Sequence, residues 1–216
     1  MMKHILLINP NSSQATTSMM LAIAETAAEG RVAVVGATAT RSPSMIVMPA
    51  ELEASAAEVV EIGQAHAPDC VGIIVSAFGD PGAVELRRRV SVPVVGICEA
   101  SMLEAAAGGR RFGVATTTPD LLDAIDQHAY RLGLDAQYCG IRCTADDPRT
   151  LVGDPRALHD NLAIEVQKSF EEDRAQAVII GGGPLGHAAE VLKATFEHPV
   201  LSPIACAVRY LQNRAA

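Results

Sequence analysis

The sequence predicts an α/β protein of two pseudo-symmetric lobes, each a small parallel sheet flanked by helices, with a ligand site in the cleft between them. Three observations predict it. Short β-branched apolar runs alternate with Ala- and Glu-rich segments of helical character, which is the βαβ pattern. Most of those runs are apolar throughout, as parallel strands covered on both faces are. One strand–turn–helix–strand unit also occurs twice, as VGIIVSAFGDPGAVELRRRVSVPVVGICEA at 71–100 and AVIIGGGPLGHAAEVLKATFEHPVLSPIAC at 177–206. Ala77 falls opposite Gly182 at an offset of 105, and Pro93 opposite Pro199 at 106. Upstream, HILLINPNSS at 4–13 pairs with RFGVATTTPD at 111–120 at about 107.

Taken in order, the first half offers strands at 3–8, 31–36, 71–76 and 93–98, and the second at 111–116, 136–141, 177–182 and 199–201. Between them, 14–29 is an Ala- and Met-rich helix with Ser12 or Ser13 as N-cap. Residues 51–66 form a Glu- and Ala-rich helix after Pro49, and 81–89, 100–107, 120–132, 155–173 and 186–196 complete the helical set. The segments 37–49 and 142–154 are long, polar and Pro-containing, and both are expected to act as lids or binding loops. With no low-complexity linker, the chain is expected to cross between lobes near 99–110 and return near 204. The first lobe is then 1–98 plus 205–216, closed by a helix at 205–213, and the second is 99–204.

Composition bounds the function. Of 216 residues, 49% are hydrophobic and 19% charged, which excludes a disordered chain. A formal charge of −8 argues against a nucleic-acid surface, and the one basic cluster, Arg87–Arg89 beside Glu85, reads as a solvated helix face. The N-terminal run ILLI is too short for a signal core, and nothing approaches the ~18–20 apolar residues of a membrane span. Five scattered cysteines make no disulfide framework, and no metal is expected at Cys139–Cys143, which lacks a completing ligand pair. The expectation is a cytoplasmic protein with a small-molecule substrate, no nucleic-acid or membrane partner, and assembly as a homo-oligomer.

In open parallel sheets ligands bind beyond the carboxyl ends of the strands. The residues there are Asn9-Pro10-Asn11-Ser12-Ser13, Ser76-Ala77-Phe78-Gly79-Asp80, Thr116-Thr117-Thr118 and Gly181-Gly182-Gly183-Pro184. These turns supply hydroxyls, amides and backbone N–H groups at helix starts, which suits a carboxylate or the imide-like carbonyls of a small heterocycle. Asn11, Ser12, Ser76, Ala77, Phe78, Thr116, Thr117, Gly182 and Gly183 are the candidate substrate-binding residues.

INPNSS after the first strand, FGDPG after the third, VPVVGICEAS after the fourth, VATTT opening the second half and the Gly-rich turn after VII together resemble the hydantoin/allantoin racemase branch of the aspartate/glutamate racemase superfamily. The resemblance spans essentially the whole chain. It implies two similar α/β lobes, a cofactor-free site between them, and proton exchange at the α-carbon of a five-membered cyclic ureide or an amino acid. Members place one cysteine after a strand of each half, as opposed acid and base. Here those positions align to Ala77 and Gly182, neither of which carries a proton-transfer group.

The remaining cysteines do not substitute: Cys70 precedes its strand, Cys139 lies in another strand, Cys143 in a loop and Cys206 at the last helix, while Cys98 ends a strand as core. Three ionisable residues lie near the expected mouth as candidate catalytic groups. Asp80 reads as a base or as a helix cap. Glu99 reads as a ligand for a substrate N–H or as half of a salt bridge between lobes. His187, in the first turn of a helix whose dipole disfavours its charged form, reads as a neutral base or a surface residue. Ser76 has a hydroxyl but no evident activating base. The leading reading is isomerase-type chemistry without the usual thiol pair. The alternatives are a decarboxylase or hydrolase on the same scaffold, or a non-catalytic binding protein.

Overall fold

The computed structural model describes residues 3–151 and 153–215. In chain order, β1 (His4–Asn9), α1 (Gln14–Ala28), β2 (Val34–Thr38), α2 (Pro49–His66), β3 (Cys70–Val75), α3 (Ala83–Arg89), β4 (Val94–Gly96) and α4 (Ile97–Ala105) make the first half. β5 (Phe112–Thr116), α5 (Leu122–Arg131), β6 (Tyr138–Cys143), α6 (Pro148–Leu151), α7 (Pro155–Glu171), β7 (Ala177–Ile180), α8 (Gly186–Leu192), β8 (Val200–Leu201) and α9 (Pro203–Ala215) follow. All pairings are parallel, and the two sheets share one topology, β2-β1-β3-β4 and β6-β5-β7-β8.

The repeat read in the sequence recurs in the hydrogen bonds. Ile73 N donates to Pro93 O and Val178 N to Pro199 O, both at 2.9 Å. Ser76 N donates to Ile8 O and Gly181 N to Ala115 O, both at 2.8 Å. The first pair marks the entry to the edge strands β4 and β8, and the second closes the carboxyl ends of the inner strands.

The continuous apolar runs are explained by burial on both faces. Ile5, Leu7 and Ile74 of one sheet and Phe112, Val114 and Ile179 of the other share a central core with α1, α4 and α9. Their neighbours Leu6, Ile8 and Ile73 face outwards to α2 and α3, and Val178 and Ile180 face α7 and α8. The layers therefore run helix, sheet, helix, sheet, helix, which brings the ends of both sheets to one mouth. α9 returns to pack on α1 and α4 and touches β3 and β4.

Several boundaries differ from the sequence expectation. The strand expected at 93–98 stops at Gly96, because the Asp80 carboxylate accepts the amides of Cys98 and Glu99 and starts α4 there. Cys98 is therefore in a first helical turn, not at a strand end. β2 starts at Val34 rather than 31, since Glu29 and Gly30 at φ 52° and 71° turn the chain back after α1. Cys143, expected in a loop, closes β6. Much of the supposed second lid, 142–154, is instead that strand end plus α6, whose Leu151 is buried in the outer core with α7; Val152 lies outside the described residues. Ser13, not Ser12, caps α1, its hydroxyl accepting Thr16 N at 3.2 Å.

Candidate active site

The NPNSS turn is wound around the buried side chain of Asn9. Asn9 Nδ2 donates to Asn11 Oδ1 at 2.8 Å, to Thr17 Oγ1 at 3.0 Å and to Ser13 O at 3.1 Å, while Asn9 Oδ1 accepts Asn11 N at 3.1 Å. Asn11 Oδ1 also takes Ser13 N at 2.9 Å. With its carbonyl oxygen committed to two donors, the Asn11 amide turns its Nδ2 away from the turn. In the second half Thr116 Oγ1 donates to Gly181 O at 2.6 Å, locking the end of β5 to the end of β7.

A pocket lies between the two sheets, lined from the first half by Asn11, Ser76, Ala77 and Phe78 and from the second by Thr117, Thr118 and Gly181–Leu185. Ala77 and Gly182 thus belong to the walls of one pocket. The triple glycine is needed for close approach. A Cβ on Gly181 would fall 2.9 Å from the Phe78 ring, and one on Gly183 would fall 2.9 Å from Ser76 O. At Gly182 the space beyond the α-carbon is taken by Leu185, whose Cγ and Cδ1 lie 3.0 Å from where a Cβ would stand.

Met45, Ile46, Leu52 and Leu121 complete the lining of the pocket, whose volume is about 50 Å³. That is room for one or two waters, so a five-membered ring enters only if an apolar side chain moves aside. Met45 and Ile46 come from the loop 37–49, which two α2 carboxylates pin at its ends. Glu58 accepts Thr40 N at 2.8 Å and Arg41 N at 3.0 Å, and Glu51 accepts Val47 N at 2.9 Å and Met48 N at 3.0 Å. Burial pushes the Glu58 carboxyl up, but the Thr40 and Arg41 amides outweigh it and hold it below the ordinary carboxylate value.

The pocket's polarity is unusual in kind. No ionisable side chain is among the lining residues. Among the described residues, no protein acceptor pairs with the backbone N–H of Ala77, Phe78, Thr117, Thr118, Gly182 or Gly183. The Ser76 hydroxyl donates to Met20 Sδ at 3.0 Å, which leaves its oxygen as an acceptor. The arrangement therefore offers amide donors and one hydroxyl acceptor within an apolar enclosure. It can hold a carbonyl or carboxylate oxygen and stabilise charge that develops on it.

Of the residues the sequence singled out, Asn11, Ser76, Ala77, Phe78, Thr117, Gly182 and Gly183 come together here, whereas Ser12 and Thr116 stand behind the wall. The three ionisable candidates do not line the pocket. Asp80 caps α4 and lies 3.2 Å from His128 Nε2. Glu99 pairs with Arg87 at 2.6 Å, and that guanidinium also donates to Val94 O. His187 faces two outer grooves beside α8. Asp80, Cys98 and His128 bring possible ligand atoms within 4.8 Å of one another. Both carboxylate oxygens are committed to amides, however, and burial, then Asp80, pushes the Cys98 thiol well above its ordinary value, so the set is a hydrogen-bonded cap. Sequence reasoning missed Leu121, Leu185 and His128, whose spacing gave only helical periodicity.

The Asp/Glu/hydantoin racemase family model matches residues 5–211. The hydantoin racemase of Rhizobium meliloti is 28% identical over 207 residues, covering 95% of this chain and 86% of that protein. The hydantoin racemase of Pseudomonas sp. (strain NS671) is 26% identical over 210 residues, covering 97% and 84%. In structure, allantoin racemase from Klebsiella pneumoniae superposes with a TM-score of 0.91 at 25% identity, covering 98% of this chain and 86% of that one. With its paired parallel sheets and a pocket between the ends of their inner strands, the chain belongs to the Asp/Glu/hydantoin racemase family.

Proposed function

We propose that the pocket binds a small cyclic ureide or carboxylate and acts on its α-carbon by polarising the adjoining carbonyl, with no side-chain base on either wall. The observation that supports this is the pocket itself: residues of both halves whose backbone N–H groups lack a protein acceptor line it, Ala77 and Gly182 among them, the positions the family resemblance aligns with paired thiols. A ring carbonyl or carboxylate oxygen accepts from those amides and from Asn11 Nδ2, and a ureide N–H donates to Ser76 Oγ. The absence of any cationic lining group favours an uncharged ring with an apolar substituent over a dicarboxylate, with Met45, Ile46, Leu52 and Phe78 around that substituent.

The chemistry balances with water alone. The α-carbon–hydrogen bond breaks, the proton passes to water, and the electron pair is delocalised onto the carbonyl oxygen, where the amides stabilise it. Reprotonation from water returns either enantiomer. Each missing proton-transfer group typically costs about 10²–10⁴-fold, so exchange is slow by comparison with a two-thiol enzyme.

The test is calorimetric titration of 5-benzylhydantoin together with its deuterium uptake in heavy water. Saturable binding with slow exchange above the protein-free rate is the expected result. Rapid exchange lost on alanine substitution at Glu99 or His187, neither of which holds a pocket wall, would overturn it and make that residue the base. The five free cysteines support a reducing, cytoplasmic setting for this activity, and among the described residues no helix is long and apolar enough to cross a membrane.

A further inference from the structure

Asp80 connects more of the site than its place outside the pocket suggests. Its backbone is left-handed, at φ 53°, and its N–H donates to Ala77 O at 3.0 Å, so the Ser76–Gly79 turn closes on it. The carboxylate lies over Gly96, where a Cβ would fall 1.8 Å from Asp80 Cγ. There it accepts Cys98 N at 2.9 Å and Glu99 N at 2.8 Å, tying the turn after β3 to the start of α4.

A further contact reaches the other half. His128 Nε2 lies 3.2 Å from Asp80 Oδ2, and His128 sits on α5, which continues from the Thr116–Leu121 turn of the opposite wall. Arg131 Nη2 lies 3.4 Å from His128 Nδ1. A guanidinium only donates, so Nδ1 accepts from Arg131, and Nε2 is the ring atom left to face the Asp80 carboxylate. The imidazole is 14% exposed and the carboxylate 2%, so water competes little for this close polar contact.

We propose that Asp80 and His128 form a positioning pair that holds the Ser76–Gly79 turn against the Thr117–Leu121 turn and so sets the separation of the two pocket walls. Its consequence for ligand affinity rests on the proposed function; the geometric role does not. The other charged groups around the pair are engaged elsewhere or peripheral. Glu99 is turned to Arg87, Arg131 orients the imidazole, and Glu53, Glu85 and Arg88 line the outer groove beside Asp80.

Amide hydrogen exchange of the full chain tests the pair without any ligand. His128→Leu is expected to speed exchange at the bonded amides of the two turns, Ser76 and Asp80 on one side and Leu121 on the other, together and by about tenfold or more, the order of loss for a polar contact with a buried charge. His128→Gln, whose amide N–H can reach the same oxygen, is expected to restore slow exchange at both turns. Arg131→Leu, which frees the imidazole to turn, is expected to give an intermediate acceleration and serves if His128→Leu does not fold. Equal acceleration in the Leu and Gln variants, or acceleration confined to α5, would overturn the proposal. Calorimetry with 5-benzylhydantoin adds a separate readout: His128→Leu should weaken binding and His128→Gln recover it. Failure of the unaltered protein to bind would count against the proposed function, while the exchange data alone would still decide the pair.

Discussion

Replacing Ala77 and Gly182 by cysteine together would put one thiol on each wall of the pocket, and the structure says what each replacement meets. Ala77 is half-buried and already directs a Cβ from the turn, so a sulfur adds to an existing side chain. Gly182 has φ 163° and ψ 133°, extended backbone that any residue adopts, so no left-handed strain opposes the change. The obstacle is Leu185, 3.0 Å from the new Cβ at two atoms. Displacing that flexible side chain costs about 1–3 kcal/mol, as overpacking of a tight interior does, and Leu185→Ala should relieve part of it. Against that cost, each positioned proton-transfer group is worth about 10²–10⁴-fold in rate. The assay is loss of the C5–H proton signal of enantiopure 5-benzylhydantoin in heavy water, followed by NMR alongside optical rotation and thermal unfolding. The double variant, alone or with Leu185→Ala, should exchange at least about 10²-fold faster than the unaltered chain, and each single variant should gain much less. A folded, ligand-binding double variant with an unchanged rate would refute the opposed placement of the two positions about the ligand.

Gly183→Ala should destabilise the chain by about 1–3 kcal/mol in chemical denaturation, because its Cβ would meet Ser76 O at 2.9 Å and Met20 Sδ at 3.0 Å, and the carbonyl cannot yield. Glu58 has a folded pKa below its ordinary value, so its anchoring of the 37–49 loop is fully present above the unfolded carboxyl pKa and is lost as pH falls through the folded one. Protection of the 40–41 amides, taken relative to their intrinsic exchange at each pH, should fall on acidification, and Glu58→Gln should remove most of that response. Alkylation at neutral pH should reach the half-exposed Cys139 before Cys98 or Cys206, whose thiols burial pushes up, and should leave hydantoin binding intact because no cysteine lines the pocket.

The fold was legible because its signals are local or repeated. Uninterrupted runs such as ILLI and VGIIV can be buried on both faces only in a covered parallel sheet, and the matched prolines at 93 and 199 mark the same step in both halves. The pocket walls were legible because they follow strand ends, where topology puts ligands. What escaped depends on side chains that meet only in three dimensions. Nothing in PLG says that Leu185 fills the space beside Gly182, and nothing in DQHAY says that His128 approaches Asp80. The sequence reads the triple glycine as a turn that offers amides to a ligand, and among the described residues Gly182 N and Gly183 N lack protein acceptors while Gly181 N donates to Ala115 O; its second role, direct packing of one wall on Ser76 and Phe78, shows only in three dimensions. The lid expected at 142–154 shows the limit of arguing by symmetry. The first-half loop is pinned over the pocket by Glu58 and Glu51, while its counterpart buries Leu151 in the outer core.

That divergence extends to the donors at the mouth and bears on how a ligand would lie. In the first half, the amides after β1 are consumed internally: Asn11 N by Asn9 Oδ1, Ser12 N by Pro43 O and Ser13 N by Asn11 Oδ1. After β5, the equivalent amides of Thr117 and Thr118 lack protein acceptors among the described residues, and Thr116 directs its hydroxyl to Gly181 O. On the proposed function, a bound ring is therefore expected to meet the Thr117 and Thr118 amides after β5 with no counterpart after β1, while Ala77 N, Phe78 N, Ser76 Oγ and Asn11 Nδ2 address it from the first half. On that reading a bound ligand is expected to present one face to Ala77 and the other to Gly182. The scaffold would then keep the orientation that two-sided proton transfer requires even where neither wall carries a group to perform it, and ligand affinity and exchange rate should respond to different substitutions. Asn11→Ala should act mainly on affinity, whereas changes at Ala77 and Gly182 should act mainly on rate.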